Sequence, residues 1–552
     1  MKNLLIVGGG SAGWMAAAYL NGALNLRGQR PTVSITLLES PDIPRISVGE
    51  ATIPSMRHLL AVVGIDEEAF MRSADATFKQ SIKYQNWVHN DGSFYHHPFT
   101  LIPQQPLDRA GELWLSSDQS VPFMDTCSLQ TRLCEANRVP VASGPEAVKH
   151  PMKYAYHMNA QKFADTLRDF STARGVRHVL ANLQEVNQDE RGWLESVRTD
   201  TAGELHADIF VDCTGFAGHL IDKTLGVDLE DFSQYLLCNR AVTMHLPYER
   251  FYPGYIRPYT TATALSSGWV WDIPMQNQRS IGYVHSSAFI SKEAAESELR
   301  AYQGPGTEDL SVRFVDFTVG RRKKAWVNNC IAIGLSSGFI EPLESTGLYL
   351  SDLGAVLLAE HWPRDEGAIQ QLSSRYNRLM ANRYYEILDF INMHYCLTKR
   401  TDTEFWKEVR KPERINPRLR AKLAMWQQKP PSLHDFEDQW FDGMATPEPL
   451  SDWSAIGGRP PVDTGGLWDH KSYECILYGM QFLDECVDRW YGNDRPKTQV
   501  LPQVTRVMGD MPRMMDHSQW LQAKLGMLQY HTAEMPLGWS GQSPSRQHQP
   551  QR

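Results

Sequence analysis

The residues that most constrain this chain stand at its beginning. Leu4-Leu5-Ile6-Val7 is a short apolar run of the kind buried in a parallel sheet. Gly8-Gly9-Gly10-Ser11-Ala12-Gly13 follows at once. Next come an Ala- and Leu-rich stretch from Trp14 to Leu24 that reads as a helix, and a second apolar run, Val33 to Leu38, closed by Glu39. Strand, glycine turn, helix, strand and acid form the opening βαβ unit of a wound α/β sheet. The spacing Gly8-x-Gly10-x-x-Gly13 is weak by itself and gains meaning from lying between a strand and a helix. Glycine lets the backbone close on a pyrophosphate whose charge rests on the helix N-terminus. Glu39 can accept from a ribose hydroxyl. The unit therefore predicts dinucleotide contacts from Gly8, Gly10, Ser11, Ala12, Gly13 and Glu39. The alternative is a tight βα turn with a solvated Glu39. The motif leaves FAD and NAD both open.

Two later strands end in comparable turns. Ala207 to Asp212 leads into Cys213-Thr214-Gly215-Phe216, and Cys330 to Gly334 leads into a Gly- and Ser-containing turn before a helix from about Gly347 to Trp362. One nucleotide-binding unit built from separated segments explains the three turns better than three domains. The expected division is nucleotide-binding segments at 1–84, 201–235 and 326–365, with substrate-region segments at 85–200 and 236–325. A mostly helical C-terminal region at 366–537 would cap the substrate, and 538–552 reads as a disordered tail. Thr446 to Gly466, crowded with Pro and Gly, reads as a long loop.

Composition excludes several classes. With 55 Lys+Arg against 64 Asp+Glu, the net charge of −9 argues against a general nucleic-acid binder. The most basic run, Gly320-Arg321-Arg322-Lys323-Lys324, is short and reads as a solvated turn. No apolar run is long enough to span a membrane. The N-terminal apolar stretch is broken too early by glycine to serve as a signal peptide. The eight cysteines form no C-x-x-C pair and match no zinc spacing, so reduced, buried thiols, no metal and a cytoplasmic location are expected.

Four further segments carry a resemblance. They are Ser47-Val48-Gly49-Glu50-Ala51-Thr52-Ile53-Pro54, Phe78-Lys79-Gln80, Gly268-Trp269-Val270-Trp271-Asp272-Ile273-Pro274 and Glu341-Pro342-Leu343-Glu344-Ser345-Thr346-Gly347. With the N-terminal turn, they resemble the flavin-dependent tryptophan halogenase family from Asn3 to about Gly479. The resemblance implies an FAD-binding α/β fold of the flavoprotein monooxygenase type, with an inserted substrate domain and a helical C-terminal region.

It also implies a two-component enzyme. A separate flavin reductase supplies FADH2, and O2 and chloride or bromide are turned into hypohalous acid. That acid passes through an internal tunnel to an electron-rich aromatic substrate. On this resemblance Lys79 holds or captures the electrophilic halogen, Glu344 acts as base and stabiliser of the ring cation, and Ser345 links the two sides. The halide site maps to Thr346 and Gly347. Val48, Gly49, Ala51, Leu335 and Gly347 join the flavin contacts. Trp269, Trp271, Ile273 and Pro274 form a wall beside the flavin. Read without the resemblance, Lys79 is a surface lysine, Glu344 a helix N-terminal carboxylate, and the two tryptophans core residues of a strand. Relatives often form dimers, so a homodimer is one expectation.

His97, Phe99 and Trp468 match the rings that sandwich an indole in tryptophan-specific members. The amino-acid end departs from the family. Paired tyrosines fall on Ile456 and Gly457, an acid on Asp463, and an aromatic on Leu467. A zwitterion without partners binds poorly in a closed site. Indole or a related arene is therefore expected over free tryptophan. An aromatic monooxygenase is the rival within the fold. A flavin-binding protein without catalysis is the rival outside it, and an NAD dehydrogenase leaves the tryptophan motif unexplained.

Overall fold

The structure is a computed structural model. It describes residues 1–25, 28–45, 48–101, 110–115, 117, 119–141, 152–432, 435, 467–483, 486 and 514–527. Ile456, Gly457, Asp463, the Thr446 to Gly466 loop and the tail lie outside the described residues.

The N-terminal unit forms as its pattern predicts. Strand β1 (Asn3–Val7) runs into the helix Ser11–Leu24 and then strand β2 (Ser34–Glu39). The two strands pair in parallel, with Val7 opposite Leu38. On its other edge β1 pairs in parallel with Ile209–Asp212, which pairs in parallel with Cys330–Ala332. The glycine turns near residues 10, 215 and 335 thus gather at the carboxyl end of one sheet, where the chain departs from β1 in both directions. Ligands bind at such a switch point in wound sheets. The outer strand Arg177–Leu180 pairs with β2, so residues from the 85–200 stretch complete this six-stranded sheet.

A small sheet joins this unit to the rest. In it β3 (Gly49–Ala51) and β4 (Thr77–Lys79) flank β7 (Ala155–Asn159), both antiparallel to it. Two residues past Lys79 the chain enters β5 (Ser81–Gln85), which pairs with β6 (Phe94–Pro98) and in parallel with Thr260–Ala264. These strands form one edge of a seven-stranded sheet that also holds Gly268–Pro274. The 28-residue helix Ile369–Cys396 is amphipathic in its first half and buried almost all round from Tyr384 to Tyr395.

The basic run is a solvated turn only at Lys323 and Lys324, which are exposed. Gly320–Arg322 is a strand, and Arg321 and Arg322 are only 7% and 8% exposed. Arg321 pairs with Glu230 and Arg322 with Asp222, both at 2.7 Å. The partner carboxylates lie about 90–100 positions away in the chain, so local polarity misjudges the two arginines. None of the eight cysteines is paired in a disulfide. Among the described residues, no helix is long and apolar enough to cross a membrane, and no cluster of His, Cys, Asp or Glu is arranged to hold a metal ion.

Candidate functional site

A cavity of about 510 Å³ opens at the carboxyl end of β1. Gly8, Gly10, Ser11, Ala12 and Glu39 line it from the first βα unit, and Val48, Gly49 and Ala51 line it from β3. Leu335 and Gly347 complete the nucleotide side. The glycines divide the work. A Cβ on Gly8 would sit 2.2 Å from the Cys213 carbonyl oxygen, and one on Gly13 would sit 1.9 Å from that of Gly8. Gly13 does not face the cavity; it lets helix and strand touch. Gly10 and Gly347 meet nothing within 4 Å, so their missing side chains leave cradle space. That arrangement fits a dinucleotide. Glu39 is already engaged. Oε1 accepts from Arg45 at 2.6 and 2.9 Å, and Oε2 faces His178 Nε2 at 2.9 Å. A ribose hydroxyl must share this carboxylate with Arg45 and His178, neither of which the motif reveals.

Trp269, Trp271 and Ile273 also line the cavity. They alternate along one strand and so share a face. Gly282 on the neighbouring strand admits the Trp271 ring, since a Cβ there would lie 2.1 Å from it. Pro274 does not line the cavity. Its carbonyl accepts from Thr77 Oγ1 at 2.7 Å, which ties the wall strand to β4.

The decisive geometry lies at the turn Glu341 to Gly347. A short 3-10 helix, Pro342–Glu344, ends at Ser345, which adopts a left-handed φ of +60°. Ser345 lines the cavity, and its Oγ accepts from Lys79 Nζ at 2.7 Å. Lys79 is 0% exposed, which removes the surface-lysine reading. Its Nζ also donates to the Thr52 carbonyl at 3.0 Å and lies 5.2 Å from the Phe99 ring centroid. Burial, opposed in part by Glu344, lowers its pKa to about 7.

Glu344 points into a shell of donors. Tyr84 Oη donates to Oε1 at 2.5 Å, and His97 Nδ1 lies 3.1 Å from both oxygens. His394 Nε2 lies 3.2 Å from Oε1. His394 Nδ1 donates to the Phe390 carbonyl at 2.7 Å, so Nε2 meets the carboxylate as a donor only in the doubly protonated ring. Burial pushes the Glu344 carboxyl up, but the His97 charge and the histidine hydrogen bonds outweigh it and hold it well below the carboxylate range. The buried Thr346 Oγ1 has no partner, and no side chain caps the helix Gly347–Glu360 that follows. An uncapped helix N-terminus beside an unused hydroxyl suits an anion.

The tryptophan halogenase family model matches residues 3–493. This chain belongs to that family. The tryptophan 6-halogenase ThaL of Streptomyces albogriseolus is 35% identical over 88% of this chain and 90% of its own length. The tryptophan 7-halogenase RebH of Lentzea aerocolonigenes is 34% identical over 93% and 94%. The crystal structure of a tryptophan halogenase from Shewanella frigidimarina superposes with a TM-score of 0.83 at 29% identity, covering 95% of this chain and 98% of that one. The chain is a flavin-dependent halogenase, an enzyme of a family that uses FAD and halide in aromatic halogenation.

In this halogenase the three rings expected at the substrate make different contacts. His97 binds Glu344, and Phe99 lies beside Lys79. Trp468 stacks face to face on Phe390 at 4.0 Å and 9°. Phe390 in turn lies 5.4 Å from His97, so it joins rings distant in sequence. Glu386 sets the Trp468 backbone by accepting from Leu467 N at 2.7 Å and Trp468 N at 3.0 Å. Sequence reading missed Tyr84, Glu386, Phe390 and His394. The last three share the buried face of one helix at i, i+4 and i+8, a spacing that also describes an ordinary core stripe.

His157 was missed as well. Thr77 Oγ1 spends its proton on Pro274 and so accepts from His157 Nδ1 at 3.2 Å. Nε2 then accepts from Thr260 Oγ1 at 2.9 Å, on the cavity wall. Burial and Lys79 push this imidazole well below its ordinary pKa. It therefore stays neutral beside the lysine.

Proposed function

We propose that this halogenase converts O2 and chloride or bromide, at the expense of FADH2 from a separate reductase, into hypohalous acid that halogenates an indole-type or other electron-rich arene at Lys79. When bound, the reduced flavin, FADH2, would supply the two electrons that activate O2 and would leave as FAD. Gly8, Gly10, Ser11, Ala12, Val48, Gly49, Ala51 and Leu335 hold it, with Gly13 allowing the close helix approach and Glu39 shared with Arg45. Thr346 and Gly347 hold the halide at the uncapped helix end. Trp269, Trp271 and Ile273, with Pro274 anchoring their strand, keep an organic ring out of the cavity.

One observation carries the reading: Ser345 belongs to the cavity wall and to the Lys79 hydrogen-bond shell at once. An oxidant formed in the cavity meets the serine first and the lysine next. Two acceptors take two positions of the Lys79 nitrogen and leave another for the halogen. A lysine that titrates near neutrality serves either as hydrogen-bond donor or as nucleophile. Glu344, held ionised, stabilises the ring cation and takes the proton that halogen replaces. His97, Phe99 and Trp468 flank the arene. Indole is preferred over free tryptophan, because Ile456, Gly457, Asp463 and Leu467 offer no paired grip for a zwitterion.

The experiment supplies reduced FAD, O2 and bromide with indole and with tryptophan in parallel, read by mass spectrometry. Brominated indole at higher kcat/KM than brominated tryptophan supports the whole reading. Faster tryptophan turnover overturns the substrate assignment alone. A hydroxylated product identifies a monooxygenase. Flavin binding without product identifies a non-catalytic protein.

A further inference from the structure

The C-terminal segment returns to the strand that carries Lys79. The helix His517–Leu525 begins at Asp516, whose side chain caps it through Gln519 N at 3.2 Å and accepts from Asn137 Nδ2 at 3.0 Å. Ser518 Oγ accepts from Ile256 N at 2.9 Å, and the Trp520 ring lies 4.7 Å from that of Phe78. His517 itself is fully buried. Its Nδ1 lies 2.9 Å from the Ile256 carbonyl, which only accepts, so Nδ1 carries the proton. Nε2 is then a bare acceptor, and it takes the backbone N–H of Phe78 at 3.2 Å.

Phe78 directly precedes Lys79. Strand β4 has only three residues, and β7 supports it on one edge. His517 supplies a hydrogen bond outside that ladder. A short strand held from both edges fixes where the next side chain emerges. Misplacing a reacting group by about 1 Å can cost roughly a hundredfold in rate.

We propose that His517 is a positioning residue for Lys79: the C-terminal helix reaches across the fold and sets the lysine through the Phe78 amide. The inference rests on the reading of Lys79 as the group that receives the halogen. It assigns a duty in the chemistry to a segment more than 430 residues from the lysine.

Three substitutions separate the two ends of the ring. His517→Gln carries an acceptor out to the Nε2 position and rescues the Phe78 contact. His517→Asn reaches only the Nδ1 position and keeps the Ile256 contact. His517→Leu keeps bulk and loses both. With flavin affinity unchanged, His517→Asn and His517→Leu are expected to lower halogenated product by about tenfold or more. Hypohalous acid caught by an external scavenger rises to match, and His517→Gln restores most of the product. Independently of turnover, an amine-acetylating reagent read by peptide mass spectrometry modifies Lys79 faster in His517→Asn than in the wild type or His517→Gln. Should His517→Leu not fold, the Asn and Gln pair decides. Equal product and equal Lys79 acetylation in Asn and Gln variants would overturn the proposal. A wild type that makes no halogenated product overturns the halogenation reading instead, and the acetylation comparison still tests the position of the lysine.

Discussion

Glu341 and Glu344 stand three residues apart on one turn and are buried alike, at 0% and 2% exposure, yet their surroundings shift their pKa values in opposite directions. Glu344 faces Tyr84, His97 and His394, donors from two strands and a helix, two of them able to carry charge. Glu341 receives only neutral donors. Tyr395 Oη at 2.6 Å and Trp269 Nε1 at 3.2 Å both bind its Oε1, while Oε2 has no partner. Burial therefore wins at Glu341 and raises its pKa to about 7, whereas burial loses at Glu344. The difference teaches that the same residue type in the same motif is held ionised where histidines face it and is pushed toward its neutral form where they are absent.

The sharpest test of the charged side removes the buried lysine beside it. Lys79→Met is expected to abolish halogenated product while flavin still binds and is oxidised. It should also stabilise the fold. A lysine whose pKa falls from 10.5 to about 7 on folding costs stability in full below about 7, and the cost fades as pH rises toward 10.5. The variant's gain in melting temperature should thus be largest at mildly acidic pH and shrink in alkali. Product at the wild-type rate removes Lys79 from the chemistry.

Next in size is Glu344→Gln, expected to slow product formation by about 10²-fold or more, the scale of a lost general base. Single-turnover product formation checks it, and an unchanged rate assigns the base elsewhere. Tyr84→Phe should slow turnover by about tenfold, the low end of the roughly 1.5–3 kcal/mol that a hydrogen bond to a charged group is worth, because His97 still meets both Glu344 oxygens. A loss as large as that of Glu344→Gln would give Tyr84 a direct part in proton transfer.

Glu341→Gln should matter least for rate, staying within about threefold of wild type, since an amide oxygen still accepts from Tyr395 and Trp269. Its signature is pH. A carboxyl raised from 4.5 to about 7 binds its proton more tightly when folded, so the wild type loses stability as pH rises through that window. Melting temperatures of the variant should lack that loss. If Glu341→Gln loses product as Glu344→Gln does, the contrast between the two carboxyls is broken.

Much of this was legible in the chain. The βαβ opening follows from apolar period and glycine placement, both local. Lys79, Glu344, Ser345, Trp269 and Trp271 were singled out through short motifs, and the structure bonds Lys79 to Ser345 and Trp269 to Glu341 on the turn that also carries Glu344. The shell that sets their charge was not legible. Tyr84 and His97 read as strand residues, Phe390 and His394 as a helix stripe, and His157 and His517 as single core histidines. The two arginines of the basic run were misread for the same reason, because Asp222 and Glu230 arrive from elsewhere in the fold.

By itself the sequence determined the wound sheet and its glycine turn, because backbone permissiveness and periodicity are local properties, whereas Lys79 and Glu344 were singled out only through the resemblance of short motifs. Only the tertiary structure decided that Lys79 is buried to titrate near 7, that Glu344 is held ionised while Glu341 is pushed toward its neutral form, and that Trp468 rests on Phe390. Desolvation and charge act through space, so their strength depends on which distant residues the fold delivers within about 3 Å.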